Sequence, residues 1–348
     1  MFHVIIAYNT WGIDMNYRML RSKIIQDAAK LNIPVLGEFE LTSHCNLNCK
    51  MCYVVDQETK DLTTDVWKKI FYEAHQAGLL FALLTGGEVF IRKDFPELYN
   101  YLFDFGVRIT VFTNGTFFSN EILDTFRKRP PEFLAITVYG ATDETYEEIT
   151  GIKEGFTKIN ETLDILRINN INTVLRIIPL VPIYQEEEKI IEWAKIKRLN
   201  LFYTQYIGPS NNCNFPHETL RLNAKDLLDF SLKIDEAFGY DLNQTETTSV
   251  DDKSCAALKS GYFINHKGLM QPCAMAYKPA RSILGEESFL ETFQVLGKEI
   301  KALEEEVICK TCKDKDTCIQ CYARRLLEGD SRGCSSYLKA FAEIKSKK

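Results

Sequence analysis

Apolar residues along the chain alternate between strand-like runs and stretches with helical spacing. The strand-like runs cover residues 37–42, 79–85, 107–113, 133–139, 173–180 and 201–207. They are apolar on both faces, which is typical of parallel strands buried between layers of helices. Six strand–helix units in succession, instead of the eight of a closed barrel, predict an α/β fold with a partial (βα)6 parallel barrel. In such barrels the chemistry lies beyond the carboxyl ends of the strands.

The pattern changes on both sides of this barrel segment, and the changes predict the domain boundaries. Residues 1–35 form an N-terminal extension that contains a helix over residues 15–31. The barrel occupies residues 36–210, and residues 211–250 form a polar linker with a bridging helix over residues 224–238. Residues 251–348 are rich in cysteine and poor in regular patterns. We expect this last segment to be a small domain that metal holds together in place of a hydrophobic core.

Composition and charge restrict the class of protein. The chain has 348 residues, 45% of them hydrophobic, and its formal net charge is −6. These values exclude a disordered or collagen-like chain, and the acidic balance argues against a nucleic-acid partner. No apolar run approaches the ~18 residues of a membrane span, so we expect no membrane partner. The N-terminus has no basic residue ahead of its apolar stretch, which makes a poor signal peptide and predicts a cytoplasmic location.

Cysteine usage points to metal. Eleven cysteines cluster with short spacers, and clustered cytosolic thiols hold metal more often than they form disulfides. Cys45, Cys49 and Cys52 form a C-x3-C-x2-C motif in the loop after the first strand. Three thiolates leave one iron of a four-iron cubane free to bind another molecule. The alternative is a zinc ion with His44 as the fourth ligand, which would need an awkward backbone because His44 and Cys45 are adjacent.

These residues resemble the signature of the radical S-adenosylmethionine (SAM) superfamily. The cysteine motif is followed by an aromatic residue, Tyr53. Thr85-Gly86-Gly87-Glu88 follows the second strand, where the family has its GGE motif. Thr113-Asn114-Gly115-Thr116 follows the third strand, where the family often has T-N-G. The resemblance implies that a [4Fe-4S] cluster on the three cysteines binds SAM and reduces it to a 5′-deoxyadenosyl radical.

The same resemblance assigns the residues that would contact SAM. Gly86 and Gly87 would let the backbone approach its ammonium group closely, and Glu88 would supply charge. Tyr53 and Asn114 belong to the matching motifs and are included among the cofactor-binding residues. Thr137 on the fourth strand and Arg176 on the fifth are further candidates, since Arg suits a carboxylate. The alternative for Arg176 is a strand-end arginine bonded to the backbone.

The C-terminal cysteines resemble the SPASM domain, an extension of many peptide-modifying radical SAM enzymes. Its cysteines here are Cys255, Cys273, Cys309, Cys312, Cys318, Cys321 and Cys334. The spacing from Cys255 through Gly268 to Cys273 matches, whereas the spacer before Cys321 has two residues in place of three. The alternative is a zinc knuckle built from the two C-x2-C pairs, which leaves Cys255, Cys273 and Cys334 without a role.

The SPASM resemblance implies two auxiliary [4Fe-4S] clusters, and therefore three clusters in all. The outer cluster would be held by Cys309, Cys312, Cys318 and Cys334. The inner cluster would be held by Cys255, Cys273 and Cys321. Some relatives have a fourth inner ligand where this chain has Gly261, so the inner cluster has an open iron, borrows Cys213 or takes a ligand from elsewhere.

Cys213 lies just after the sixth strand, at the catalytic end of the barrel, and has three interpretations. It is the missing inner ligand, a catalytic hydrogen-atom donor to a substrate radical as in peptide epimerases of the superfamily, or an incidental loop cysteine.

Two auxiliary clusters suit net oxidation, because they accept the second electron from a substrate radical. The first functional hypothesis is therefore a radical SAM oxidoreductase that matures a ribosomally made peptide or a protein side chain.

Two other functions remain as alternatives at this stage. One is a small-molecule oxidoreductase, such as the related enzymes that decarboxylate haem-precursor side chains. The other is a non-catalytic iron–sulfur electron carrier. The GGE match and the three-ligand site both argue against this hypothesis. The expected partners are a peptide or protein substrate and a reductant such as flavodoxin or ferredoxin. A separate protein that recognises a leader peptide is a further expected partner.

Overall fold

A computed structural model gives the secondary structure of residues 15–54, 60–204, 206–210, 218–240, 256–305, 308–314, 317–328 and 334–347. The strands are β1 (Leu36–Glu40), β2 (Phe81–Thr85), β3 (Arg108–Thr113), β4 (Phe133–Val138), β5 (Thr173–Ile177), β6 (Leu201–Tyr203), β7 (Gly261–Ile264), β8 (Leu269–Gln271) and β9 (Arg281–Ser282). The helices are α1 (Met15–Leu31), α2 (Thr64–Gln76), α3 (Phe95–Phe103), α4 (Asn120–Lys128), α5 (Asp143–Thr150), α6 (Gly155–Ile168), α7 (Val181–Gln185), α8 (Glu187–Lys197), α9 (Ala224–Phe238), α10 (Phe289–Glu305), α11 (Tyr322–Leu327) and α12 (Ser336–Lys345).

The strands of the described residues form one sheet, in the spatial order β6-β5-β4-β3-β2-β1-β7-β8-β9. Strands β1 to β6 are parallel and each pairs with its neighbour in the chain. Helices connect these strands, as parallel pairing requires. The predicted α/β class and its parallel partial barrel are therefore confirmed.

Helix α2 shows how the apolar spacing positions the outer layer on the sheet. Its first turn is capped by Thr63, whose side chain accepts a hydrogen bond from the backbone N–H of Val66 at 3.4 Å. One apolar face of the helix is buried, with Trp67 and Phe71 on it. The ring of Phe71 meets that of Phe39 on β1 edge to face, with 5.1 Å between centroids. This packing fixes the start of the loop that follows β1.

Strands β5 and β6 are shorter than the apolar runs predict. The ladder between them ends where Ile177 pairs with Tyr203, whereas the runs extend to residues 180 and 207. Pro179 has no N–H to donate to a ladder, and the chain turns into α7 directly after Leu180. The residues beyond Tyr203 leave the sheet and become available to line a cavity.

The C-terminal segment continues the barrel sheet. Strand β7 pairs in parallel with β1, so that Leu36 lies opposite Gly261 and Phe39 opposite Ile264. Strands β8 and β9 extend it as an antiparallel pair. Helix α10 packs on this extension, with the buried ring of Phe293 6.1 Å from that of Tyr262. An apolar strand that covers the edge of β1 buries backbone groups that an open edge would expose.

An ion pair enclosed by tyrosine rings joins the barrel to the helices at the C-terminus. Arg221 lies 2.8 Å from the carboxylate of Glu328, and the hydroxyl of Tyr206 donates to the same oxygen at 2.7 Å. The Arg221 guanidinium also stacks on the ring of Tyr337 in α12, 3.2 Å from its centroid. Helix α12 packs against α9. We call these four residues the inter-segment clamp.

A search of the described helices for membrane-spanning segments finds none with the length and apolar character required.

Candidate functional site

A cavity of about 200 Å³ opens beyond the carboxyl ends of the parallel strands. Thr85, Thr113, Thr137 and Arg176, at or near the ends of β2 to β5, contribute to its wall. The loop after β1 and the segment after β6 complete it. Residues far apart in the chain therefore meet at the edge of the sheet where barrel chemistry is expected.

The three cysteines of the first motif lie in this wall. Cys45, Cys49 and Cys52 all line the cavity, on the loop that follows β1. The loop is held in place from outside, since the backbone N–H groups of Asn48 and Lys50 donate to carbonyls at the end of α5, at 2.9 and 3.0 Å. The thiol of Cys45 also accepts the backbone N–H of Leu47 at 3.4 Å. Tertiary contacts thus aim all three sulfurs at one space.

Burial favours the neutral form of these three thiols. It raises the pKa of Cys45 to about 11 and, together with the neighbouring Cys52 and Cys45, the pKa of Cys49 to about 12. Burial also raises the pKa of Cys52. Thiols bind metal as thiolates, so a bound cation would reverse these shifts by stabilising the charged form.

The arrangement fits an iron–sulfur cluster better than a single zinc ion. Within the described ranges, no set of three His, Cys, Asp or Glu side chains is placed to share one ion. The ring of His44 is directed elsewhere: its Nδ1 lies 3.2 Å from the Thr42 hydroxyl and 3.4 Å from the Asp61 carboxylate. A cubane separates its ligands more widely, because each thiolate binds a different iron. Three half-buried thiols that line one cavity therefore suit a cluster with one open iron.

Gly86 and Gly87 line the cavity and also allow the cysteine loop to pack against the end of β2. A Cβ added at Gly86 would lie 2.7 Å from the carbonyl oxygen of Thr42, and one at Gly87 would lie 2.2 Å from that of His44. Backbone hydrogen bonds of 2.8 Å join Gly87 to Thr42 and Glu88 to His44. Any side chain at Gly87 would push the cysteine loop away. The glycines therefore position the loop as well as the wall.

Glu88 lies behind the wall and not on it. Only 1% of its surface is exposed, and its carboxylate accepts hydrogen bonds from the Thr113 hydroxyl and the Asn114 backbone, both at 2.7 Å. It also accepts the backbone N–H of Phe90 at 3.1 Å. Burial raises its pKa to about 7 despite these bonds. The carboxylate thus ties β2 to the end of β3, and the role of Glu88 as a cofactor-binding residue stays a prediction.

Asn114 connects the third strand to the cysteine loop. Its side-chain amide donates to the Asn46 side chain at 2.9 Å and approaches the Cys45 sulfur at 3.7 Å. Its side-chain oxygen accepts the backbone N–H of Thr116 at 2.8 Å. Asn114 also lines the cavity, so the T-N-G motif lies against a candidate metal ligand.

The remaining candidates for cofactor contact also face the cavity. Thr137 and Arg176 pair with each other across β4 and β5, and Tyr53 follows the last cysteine of the loop. Burial lowers the pKa of the Arg176 guanidinium to about 10, and the group lies 4.1 Å from the centroid of the Phe112 ring. Arg176 is therefore placed inside the barrel with its charge toward the cavity.

Of the lining residues that the sequence analysis did not name, four have side chains that bear on the chemistry or the packing of the site. Tyr139 at the end of β4 is hydrogen-bonded to the Cys49 thiol, and Glu38 projects from β1. Tyr206 and Leu327 reach the cavity from the two sides of the inter-segment clamp. A charged residue within an apolar strand run was a usable signal for Glu38. The other three carry no spacing signal, because only packing brings them there.

Four of the C-terminal cysteines lie near one another, and the others lie apart from them or outside the described residues. Burial raises the pKa of Cys318 and Cys334, and the nearby thiols of Cys309 and Cys312 raise it further. The set expected for the outer cluster is therefore brought together. Cys321 directly precedes α11, and its side chain makes no capping hydrogen bond there. Cys273 is buried beside Gly261 and Glu38 at a small cavity, and Cys213 and Cys255 lie outside the described residues.

The fold and site define a class: a parallel α/β barrel protein with a three-cysteine metal loop after its first strand. Residues 39–194 match the sequence profile of the Radical SAM superfamily. This part of the chain is a radical SAM domain, and the predicted family is confirmed.

Relatives extend this likeness over most of the chain. The AdoMet-dependent heme synthase of Methanosarcina barkeri is 33% identical over 142 residues, which are 40% of this chain and 41% of that protein. The sporulation killing factor maturation protein SkfB of Bacillus subtilis is 22% identical over 288 residues, covering 81% of this chain and 69% of that one. This chain thus matches less than half the length of the heme synthase.

Solved structures share the fold. Streptococcus suis SuiB bound to its precursor peptide SuiA superposes with a TM-score of 0.70 and 13% identity, over 95% of this chain and 84% of SuiB. SuiB has also been solved with S-adenosylmethionine. Because the superposition includes the C-terminal segment, the arrangement of β7 to β9 and the helices after them belongs to the shared architecture.

Proposed function

We propose that this chain is a radical SAM enzyme that oxidatively modifies a side chain of a ribosomally made peptide or of a protein. The observation that carries the proposal is the convergence of Cys45, Cys49 and Cys52 on the same cavity as the GGE and T-N-G segments. Three thiols leave one iron open, and that vacancy is what a chelating cofactor needs. The family match supports the same assignment.

The residues of the chain have distinct tasks in this proposal. The cluster, when bound, supplies the electron that cleaves SAM and so generates the radical that abstracts hydrogen from the substrate. Gly86, Gly87, Asn114 and Thr137 line the side of the cavity next to the cysteine loop and would hold the SAM molecule. Arg176 provides a positive charge for a carboxylate. The apolar side chains around them exclude water from the reacting atoms.

The C-terminal segment would hold the auxiliary clusters. The grouping of Cys309, Cys312, Cys318 and Cys334 supports the outer cluster. Cys255, Cys273 and Cys321 remain the proposed inner ligands. The proposed boundaries are a barrel over residues 36–210, a linker over 211–250 and an auxiliary-cluster segment over 251–348. These clusters would accept the second electron from the substrate radical, whereas a reductant such as flavodoxin or ferredoxin would reduce the SAM-binding cluster. A separate leader-recognition protein would present the peptide.

The names of two relatives support a peptide substrate. SkfB is a maturation protein, and SuiB has been solved with a precursor peptide. Their likeness spans most of this chain, including the C-terminal segment. A wall that combines barrel and C-terminal residues, among them Met275 and Leu327, gives the cavity an apolar side suited to a peptide side chain.

A small-molecule oxidoreductase of the haem-precursor type is the second candidate. The likeness to a heme synthase favours it, although that match covers only 40% of this chain. Catalysis by Cys213 as a hydrogen-atom donor, as in a peptide epimerase, is a variant of the first proposal that falls outside the described residues.

One experiment separates these candidates. The full chain is reconstituted anaerobically with iron and sulfide, and we expect about twelve irons per chain from three clusters, against about four from one. SAM and dithionite should then release 5′-deoxyadenosine, and Cys49→Ala should abolish that release. Mass spectrometry of precursor peptides encoded near this gene and co-expressed with the chain should reveal an oxidative mass change. Absence of 5′-deoxyadenosine from the iron-loaded chain would refute both enzymatic functions, and turnover of a porphyrin but no peptide would favour the second.

A further inference from the structure

Few charged side chains line the cavity, and only one of them has a role in the proposed function. Apart from cysteines and tyrosines, the ionisable side chains in the described wall are Glu38 and Arg176. Arg176 already has a proposed task, the binding of a carboxylate. Glu38 has none, and no sequence motif includes it.

Glu38 occupies the inner face of β1, among apolar side chains. It lies opposite Leu83 on β2 and Phe263 on β7, and both of these residues also line the cavity. Its neighbours in the strand, Gly37 and Phe39, point the other way, as the period of two requires. A second, smaller cavity beneath it is also lined by Glu38. The carboxyl therefore stands at the floor of the proposed active site.

Two buried glutamates nearby have close polar partners within the protein, whereas Glu38 is half-buried in the cavity wall. Glu40, two residues along the same strand, lies 2.7 Å from the His266 ring nitrogen. Glu88 accepts three hydrogen bonds from neighbouring segments. Arg176 is close enough to affect Glu38 electrostatically, but none of the ion pairs formed within the described ranges includes Glu38. Burial is the dominant effect on this carboxyl and raises its pKa.

An ionised carboxylate in a largely apolar wall is costly unless hydrogen-bond donors or positive charge stabilise it. A ligand cation adds to such stabilisation, since it favours the charged form of the carboxylate and forms charge-assisted hydrogen bonds. The rings of Tyr53 and Phe263 also line this cavity and favour a cation over a neutral group of the same shape. An anionic ligand group would be repelled from this end and attracted to Arg176.

We propose that Glu38 is a specificity residue that binds an alkylammonium or guanidinium group of the substrate at the floor of the cavity. The preferred substrate segment then carries a lysine or arginine side chain at or next to the modified position. This inference rests on the proposed function, because it places the substrate in the same cavity as the SAM-binding residues.

Binding of short peptides tests the proposal without relying on turnover. The probes are blocked tripeptides, acetyl-Ala-Xaa-Ala-amide, in which Xaa is lysine, arginine, norleucine or glutamate. Each is titrated by anaerobic calorimetry into the full, iron-loaded chain. We expect the lysine and arginine peptides to bind about tenfold more tightly than the norleucine peptide, as one charge-assisted contact would produce. The glutamate peptide should bind most weakly.

Two variants locate the effect. Glu38→Gln keeps the size of the side chain and removes its charge, so the ratio of lysine to norleucine affinity should fall to about one. Glu187→Gln is the matched control, since Glu187 is a buried carboxyl on the outer helix α8 that pairs with Lys233 at 3.3 Å. That variant should retain the tenfold preference. Iron content and circular dichroism verify that both variants are folded and loaded.

The outcomes are distinct from those that test the proposed function. Equal binding of norleucine and lysine, no measurable binding of any probe, or a preference that survives Glu38→Gln would overturn the role of Glu38. The same preparations are assayed for 5′-deoxyadenosine. Loss of that product with the cation preference intact would count against the radical SAM function alone, whereas product without the preference would count against Glu38 alone.

Discussion

The two cysteine regions of this molecule are built in different ways. The N-terminal trio sits on a loop between a buried strand and its helix, and contacts from α5, β2 and β3 hold that loop. The C-terminal group Cys309, Cys312, Cys318 and Cys334 lies on short turns, and Cys312 and Cys334 are exposed. Its described hydrogen bonds are mostly local, such as that from the Cys312 backbone to Cys309 at 3.3 Å.

This difference indicates which site the protein shapes before metal binds. A loop fixed by a sheet can present a vacancy to a cofactor, because its geometry does not depend on the metal. A group of thiols on short turns gains much of its order from the metal itself, since binding free energy is then folding free energy. Under the proposed function, the first site would suit chemistry on a ligand, and the second would suit a closed cluster that carries electrons.

The largest expected effect comes from removing one ligand in each region. Cys49→Ala should abolish release of 5′-deoxyadenosine and lower the iron content by about four atoms per chain. Cys312→Ala should lower the iron content by the same amount yet retain cleavage of SAM, because the first cluster is intact. Iron analysis and chromatography of the nucleoside measure both. Loss of SAM cleavage in Cys312→Ala would contradict the division between the two sites.

The inter-segment clamp tests how far the regions depend on each other. Glu328→Gln leaves Arg221 without its carboxylate partner in a mostly buried position, so we expect the free energy of unfolding to fall by about 3 kcal/mol. Because Tyr206 and Leu327 line the cavity beside the clamp, the KM for peptide should rise more than the KM for SAM. Denaturant titration and steady-state kinetics report the two effects. Glu343→Gln, an exposed glutamate on α12, is the control and should change neither.

Glu88 tests whether the first loop is held by contacts behind the wall. Glu88→Gln replaces an acceptor oxygen with an amide that faces donors, and should cost about 2 kcal/mol of unfolding free energy. The folded pKa of about 7 lies above the unfolded value, so the wild-type contribution is complete at acidic pH and is lost as pH rises toward 7. The variant should lack this decline between about pH 4.5 and 7. Equal slopes in pH-dependent denaturation would show that Glu88 does not titrate there.

Removal of one helix N-cap in each region should have the smallest effect on stability. The two caps form similar hydrogen bonds, so the two changes can be compared directly. Thr63 caps α2 in the barrel and Ser335 caps α12 beside Cys334, through similar hydrogen bonds of 3.4 and 3.3 Å. Each change to alanine should cost about 1 kcal/mol locally. We expect Thr63→Ala to lower global stability, and Ser335→Ala to accelerate amide exchange in α12 and iron loss under a chelator. Identical exchange patterns would mean that the regions unfold as one unit.

Sequence reasoning predicted the six parallel strands, the opening helix over residues 15–31 and the helix over residues 224–238. It did so because apolar periodicity reports which faces are buried. It missed the early ends of β5 and β6, where pairing and Pro179 override a continuing apolar run. It also missed the union of β7 to β9 with the barrel sheet, because a two- to four-residue strand has too few positions to show a period.

The residues of the candidate site also fall into those that the sequence predicted and those that only the structure revealed. Motif spacing named Cys45, Cys49 and Cys52, as well as Gly86, Gly87 and Asn114, and the structure places all of them at one cavity. Spacing also named Glu88, and only the structure shows that its buried carboxylate joins β2 to the end of β3. Glu38 and Tyr139 entered the site only through the structure, since no fixed interval ties a strand-borne residue to a motif.

The order of residues alone determined the class of fold and the kind of metal chemistry, because strand periodicity and cysteine spacing are local properties of the chain. The tertiary structure decided what the cavity can recognise. The clamp of Arg221 and Glu328 and the hydrogen bonds of Glu88 each join segments that are distant in sequence, and Glu38 shares a cavity with the cysteine loop only through the fold. Their meeting depends on how the sheet and its helices pack, and packing is a property of the whole molecule.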